Sequence, residues 1–317
     1  MEKSFCFVLN PLEMTGQEPV QLVAGHFLQK ASESQIEQIK GHLNTHYFRH
    51  FTWPPYEYEW LDEAIDENGN KSRSTRPLPK EKYRYWVISF FGPNTQTARL
   101  QLAVNLLKKD LDLGSHFMFD KEGKGAGIIF GYPNVSSYFE DHLPIFETSG
   151  KSIFTVDSSN FSQVEQYFKS IEVAEKEQPQ IYRSVKDFFQ IKSLPRNSDL
   201  VVLGYFAILE ALITHDPKKD FDSLNHQIST KMSLLSKRFE RQLDYGLHFG
   251  ESDNEKIWKK LYGYRSALAH GTPADFGTKF KMLKDSANVL NFVKEAVKLT
   301  LLFAMKETEL LADLKKC

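Results

Sequence analysis

The stretch Leu261-Tyr262-Gly263-Tyr264-Arg265-Ser266-Ala267-Leu268-Ala269-His270-Gly271 sets an arginine and a histidine five residues apart where an aromatic helix is about to stop. Upstream, Ile257, Leu261, Tyr264 and Leu268 fall at i, i+4, i+7 and i+11, an apolar stripe of helical period. Arg265 lies one step around from that stripe, beside Trp258 and Tyr262. Gly271 followed by Pro273 is a stop signal, so His270 is expected at the helix C-terminus, where the dipole favours an imidazolium. A permanent cation and a group that titrates near neutrality are both suited to handling a phosphate. The spacing is cheap by itself. Arg241 and His248 satisfy a looser version of it, in a stretch (Asp244-Tyr245-Gly246) that reads as helix exit and loop.

Working outward, residues 179–317 read as all-helical. Pro195-Arg196-Asn197-Ser198-Asp199 opens a helix by its cap chemistry, and that helix runs to about His215. From Leu200 to Ile213 it is apolar nearly all round, which argues for burial in a bundle or at a subunit interface. Glu210 is the only charged residue in that run. A second helix carries Leu224, Ile228, Met232, Leu235 and Phe239; the third starts near Asn254 and ends over Arg265 to His270. The fourth, Ser286 to about Lys315, carries Leu290, Val293, Val297, Leu301 and Ala304. Short connections and one long loop, Gly246 to Asp253, predict an antiparallel four-helix bundle. Inside such a bundle Arg265 must be paired or wet, and Glu210 has the same problem. The two are expected to pair, with Glu210 orienting the guanidinium.

Residues 1–178 read as mixed α and β. Ser4–Leu9 and Val20–Leu28 have strand character, and Ser32 to His50 carries helical markers: Ser32 or Ser34 as N-cap, then Ile36, Ile39, Leu43 and Tyr47 on one face. Trp53-Pro54-Pro55 ends it. Asp66 to Lys82 is polar and proline-containing, a long loop on this reading, with Lys71, Arg73, Arg76, Lys80 and Lys82 as solvated charges. Tyr83 to Phe91 is the clearest strand, closed by Gly92-Pro93. Thr95 to Leu113 reads as a helix and Gly127 to Tyr132 as a strand. Gly123-Lys124-Gly125-Ala126-Gly127 lacks the Gly-Lys-Ser/Thr of a phosphate loop and reads as a hairpin turn. Phe161, Val164, Phe168 and Ile171 suggest a helix running into the charged stretch Glu172 to Gln180, the candidate boundary. The fold class is therefore α+β, a mixed α/β domain over residues 1–178 followed by the helical domain over 179–317.

A chain of 317 residues suffices for two domains. Its 25 Phe and 13 Tyr supply ample apolar surface. No run of eighteen apolar residues exists, so a spanning helix is not expected. The start, Met1-Glu2-Lys3-Ser4-Phe5-Cys6, does not read as a signal peptide, and Cys6 and Cys317 stand at opposite ends without metal spacing. A reduced cytoplasmic protein is the simplest reading. Residues 1–178 hold 18 basic against 24 acidic side chains, and residues 179–317 hold 22 against 17. The half with Arg265 and His270 is thus the basic one, which suits a polyanion.

At this point the helical half resembles a family. A four-helix bundle with an arginine, four residues and a histidine late in its third helix is similar to the HEPN superfamily. The Tyr264-Arg265-Ser266 and His270-Gly271 context looks most like its ApeA-like branch. The resemblance covers roughly residues 180–317 and leaves the first half unassigned. It implies a metal-independent endoribonuclease acting as a homodimer, without cofactor, in defence or toxin-type growth arrest, often beside a sensing domain. By position, Arg265 and His270 would be the catalytic pair. The residue after the arginine is often Asn in the family; Ser266 reaches less far as an auxiliary donor. An activating ligand or protein would act on the first domain.

The chemistry stands without the family. RNA carries its own nucleophile, the 2′-hydroxyl, so cleavage needs a base for its proton and a cation for the phosphorane. Histidine suits proton transfer, typically worth ~10²–10⁴ in rate, and arginine offers a planar fork to two phosphate oxygens. One histidine does not readily serve as both base and acid in one step, so two motifs facing across a dimer are expected. Lys259, Lys260 and Arg241 are candidate contacts to RNA backbone, as are Lys237 and Arg238. Two competing readings differ in class. One is a HEPN-like module that binds RNA or protein without cleaving. The other is a metalloenzyme on His42, His46 and His50, whose i, i+4, i+8 spacing makes a helical ladder but lacks a carboxylate or cysteine among its members.

Overall fold

The computed structural model describes residues 3–46, 56–65, 71–91, 96–119, 125–130, 154–195, 198–216 and 223–316. The chain divides into two compact units, Met1–Phe168 and Lys169–Cys317, a division that falls inside one continuous helix, Val164–Glu177. The first unit is built on an antiparallel sheet and the second on helices, an α+β chain.

Six strands make the main sheet of the first unit: β1 (Ser4–Val8), β3 (Val20–Val23), β4 (His26–Lys30), β7 (Trp86–Phe90), β8 (Leu113–Phe119) and β9 (Gly125–Phe130), in the order β3-β4-β7-β1-β8-β9. All five pairings are antiparallel. β1 and β7 are buried at every residue, so both faces of the sheet are covered. One face carries Phe5, Phe7, Tyr85, Val87, Phe117 and Phe119 against Ile39 and Leu43 of helix α1 (Glu33–His46). A capping box starts α1: Ser32 Oγ accepts from the Gln35 amide, and Gln35 Oε1 accepts from the Ser32 amide. Two smaller sheets flank this one: a parallel pair of β2 (Leu12–Thr15) with β10 (Phe154–Asp157), and a hairpin of β5 (Tyr58–Ile65) with β6 (Lys71–Pro77).

Four readings of the first half are corrected. The segment expected as a loop over 66–82 contains β6, whose Arg76 stands opposite Glu59 of β5 and pairs with it. Val20–Leu28 is two strands, because Gly25 (φ +78°) turns the chain back on itself. The helix expected over 95–113 is only α2, Thr97–Asn105. Its continuation is drawn to the sheet instead, where Asp112 bonds to the two residues just after β1 (Leu9 N to Asp112 O 2.7 Å, Asp112 N to Asn10 Oδ1 2.7 Å). The strand expected at Gly127–Tyr132 begins at Gly125. Tyr47, His50, Trp53-Pro54-Pro55, Gly92-Pro93 and Gly123-Lys124 lie outside the described residues.

After α3 (Val164–Glu177), the second unit is a set of packed helices: α4 (Pro179–Ile191), α5 (Asp199–Ile213), α6 (Leu224–Leu235), α7 (Tyr245–Phe249), α8 (Asn254–Ala269), α9 (Ser286–Lys306) and α10 (Thr308–Lys316). Each of α5, α6 and α8 starts on a side chain chosen for it: Ser198 accepts from Leu200 N, Ser223 from His226 N, and Asp253 from Lys256 N. α5 is the hub, packing on α4, α6, α8, α9 and α10, while α6 lies along α8. Val202, Phe206, Leu209 and Ile213 of α5 are buried, as are Ile228 and Met232 of α6 and Ile257, Leu261 and Tyr264 of α8. The expected long loop at 246–253 contains α7, the second helix stops at Leu235 short of Phe239, and the fourth helix breaks at Glu307 into α9 and α10. Among the described residues no helix is long and apolar enough to cross a membrane.

Candidate functional site

The end of α8 is a Schellman turn. His270 is the C-cap residue, Gly271 follows at φ +65°, the Thr272 amide reaches back to Ala267 O (2.9 Å) and the Gly271 amide to Leu268 O (3.0 Å). Glycine is required because the left-handed conformation costs an L-residue strain. This turn fixes the His270 backbone, whose amide bonds Ser266 O (3.2 Å), and leaves the side chain exposed.

Arg265 sits five residues earlier and is tied across to α5. Its Nη2 donates to Glu210 Oε2 at 3.2 Å, and Nε lies 3.1 Å from Glu210 Oε1 without hydrogen-bond alignment. The side chains are 26% and 18% exposed, so the pair is largely withdrawn from water and neither charge stands alone there. Glu210 is one turn from the end of α5, where its carbonyl accepts from the Thr214 amide and hydroxyl. The guanidinium keeps Nη1 free of any protein hydrogen bond among the described residues, so one edge of the fork faces Glu210 and part of the other is left over. Ser266 follows, half-buried.

Tyr262, placed beside Arg265 by the sequence but given no role there, stands i, i+3 to it on α8. The Arg265 guanidinium carbon lies 5.7 Å from its ring centroid, and the Phe206 ring meets it edge-on at 6.1 Å. Burial raises the Tyr262 phenol, the Glu210 charge adds to this, and Arg265 opposes it. On the opposite side of α8, Tyr264 packs on Phe276 and Phe280 at 5.4 and 5.6 Å.

Helical geometry decides how far one chain can bring the pair together. Five residues correspond to about 140° of rotation and about 7.5 Å of rise, so Arg265 and His270 leave the helix on different faces. Among the described residues no hydrogen bond joins them, and the His270 ring makes none.

The remaining candidates are scattered. Arg241 pairs with Glu295 (Nε to Oε1 2.8 Å), with its Nη2 buried and unpartnered. Lys259 pairs with Glu255 on its own helix (2.7 Å), and Lys260 Nζ reaches Lys279 O at 3.4 Å. His248, the other half of the loose match, bonds Asn288 (2.8 Å) and packs on Phe292. His42 is buried, its Nε2 2.8 Å from Ser115 Oγ and its ring edge-on to Phe117. Among the described residues no three His, Cys, Asp or Glu side chains cluster as metal ligands; His50 and the side chain of His46 lie outside them. No family model matches this chain, and neither a curated protein nor a solved structure matches it.

Proposed function

We propose that this chain is a metal-independent endoribonuclease of HEPN type, with α5, α6, α8 and α9 as its four-helix bundle and a homodimer as its working form. The observation that carries the reading is the end of α8: an exposed imidazole on a glycine-fixed cap, five residues beyond an arginine that α5 holds in place. In the reaction, an imidazole takes the 2′-hydroxyl proton, the oxygen attacks phosphorus, and the 5′-oxygen departs with a proton from a second imidazole. Products are a 2′,3′-cyclic phosphate and a 5′-hydroxyl. Arg265 supports the phosphorane through the donors Glu210 does not occupy. Because Arg265 and His270 leave α8 about 140° apart, a second copy is the simplest source of the complementary pair. The first unit serves as a sensing or regulatory domain, and the biological role is defence or toxin-type growth arrest in the cytoplasm.

One observation favours a second reading, a HEPN-like module that binds RNA or protein without cleaving it: Glu210 already neutralises Arg265. Incubation of the full chain with RNA and chelator separates the two. Cleavage that survives chelation and disappears in Arg265→Ala and His270→Ala supports the nuclease. Tight binding with intact RNA supports the module.

A further inference from the structure

After the break at Glu307, α10 packs on α5, and a cleft of about 740 Å³ opens among α4, α5 and α10. Small-molecule sites have roughly 300–1,000 Å³. Each helix gives the cleft one buried apolar residue: Ile181 of α4, Leu212 of α5 and Leu311 of α10. Gln178 Nε2 donates to Thr308 Oγ1 (2.7 Å) and ties the start of α4 to the start of α10. Lys315 is held at both its ends. Its carbonyl accepts from Lys231 Nζ (3.4 Å) and lies 2.8 Å from His215 Nδ1. Its own Nζ donates to Ala211 O at 2.6 Å, in the last turn of α5, where carbonyls lack an amide partner. That bond uses one of three ammonium hydrogens, and among the described residues no carboxylate pairs with Lys315. The other charged side chains of the cleft lie further into water. Arg183 and Glu177 are exposed, and Asp187 stands 3.8 Å from Arg183 on the same helix.

We propose that this cleft binds a small amphipathic carboxylate. Its apolar body lies over Ile181, Leu212 and Leu311, and its carboxylate meets the Lys315 ammonium. Burial of the body supplies most of the affinity, and the charge-assisted bond to a fixed cation sets the orientation. The fixing matters because a lysine held at backbone and ammonium loses little further freedom when the ligand arrives. The proposal is independent of the nuclease reading.

The experiment titrates decanoate, below the concentration at which it aggregates, into the full chain by calorimetry, with decanol as the uncharged counterpart. Wild type should bind one decanoate per chain saturably and decanol more weakly. Lys315→Gln keeps a donor for Ala211 O but removes the charge, and should weaken decanoate binding by about tenfold or more. Ala312→Trp fills the cleft from an exposed position of α10 and should abolish binding. Both variants are first checked by thermal unfolding; should Ala312→Trp fail to fold, Lys315→Gln decides. No saturable binding by wild type overturns the proposal, as does unchanged decanoate binding in either folded variant. Decanol bound as tightly as decanoate also overturns it, because the ammonium would then have no part in recognition.

Discussion

Replacing Gly271 by alanine tests whether a backbone conformation, and not a contact, sets the place of His270. Gly271 has φ +65° and no atom within 4 Å of a Cβ built on it, so alanine meets no steric obstacle and pays only for the left-handed backbone. That cost is about 1–2 kcal/mol, partly offset because alanine has less freedom to lose on folding. A net loss of about 1 kcal/mol corresponds to a fall in Tm of about 2–4 °C for a unit of this size. Asparagine tolerates the left-handed region better, so Gly271→Asn should lose about half as much. Calorimetry of the three proteins reads the stability, and RNA cleavage below the melting range reads the site. Cleavage should fall further in the alanine variant than its stability explains, because unwinding the Schellman turn carries His270 with it. A Gly271→Ala protein that melts with wild type and cleaves at the wild-type rate refutes the reasoning, since the positive φ would then be neither costly nor what holds His270.

Other outcomes follow from the same geometry. Burial pushes His116 down to about 4, and its Nε2 has no partner, so the folded state resists a proton that the unfolded chain accepts near 6.5. The first unit should keep this stability above pH 6.5 and lose about 3 kcal/mol as pH falls towards 4, with a shallower slope in His116→Gln by Tm against pH. Asp253→Ala removes the acceptor for the Lys256 amide at the start of α8 and should cost about 1 kcal/mol in chemical denaturation. Mixing wild type with His270→Ala at equal amounts should leave about one quarter of the cleavage of the same total wild type if both histidines of a dimer act; about one half would mean that each chain works alone.

The helical half was legible because its signals are local. Ser198, Ser223 and Asp253 each start a helix within one turn of themselves, and the apolar stripe of Ile257, Leu261 and Tyr264 marks the buried face of α8 whatever surrounds it. The breaks were not legible. Nothing in the period of Ser286 to Lys315 marks Glu307, whose amide still closes on Phe303 O while the chain bends away. In the first half, Lys71-Ser72-Arg73-Ser74-Thr75-Arg76-Pro77 has no apolar alternation, so its strand pairing with Tyr58–Ile65 depends on a partner that the local pattern does not name. The helix from Thr97 stops at Asn105, and the segment after it is fastened by Asp112 to Asn10 just past β1, a bond between positions about a hundred residues apart in sequence.

The site was legible to the same extent and for the same reason. A lone acid on an otherwise apolar helix had to find a cation, and Glu210 found Arg265. Tyr262 was placed beside Arg265 but given no role, because an aromatic residue near a buried helix face is ordinarily read as core. Its edge-on contact with Phe206 depends on the neighbouring helix, which the local pattern does not name. The spacing of arginine and histidine carries the remaining lesson. If a single chain were to join the two around one phosphate, a gap of three, four or seven residues would serve, since those positions share a helix face. A gap of five sends them about 140° apart. On the proposed dimeric reading, a site built from this motif gains by borrowing from a second helix end, since the rotation separates the pair within one chain.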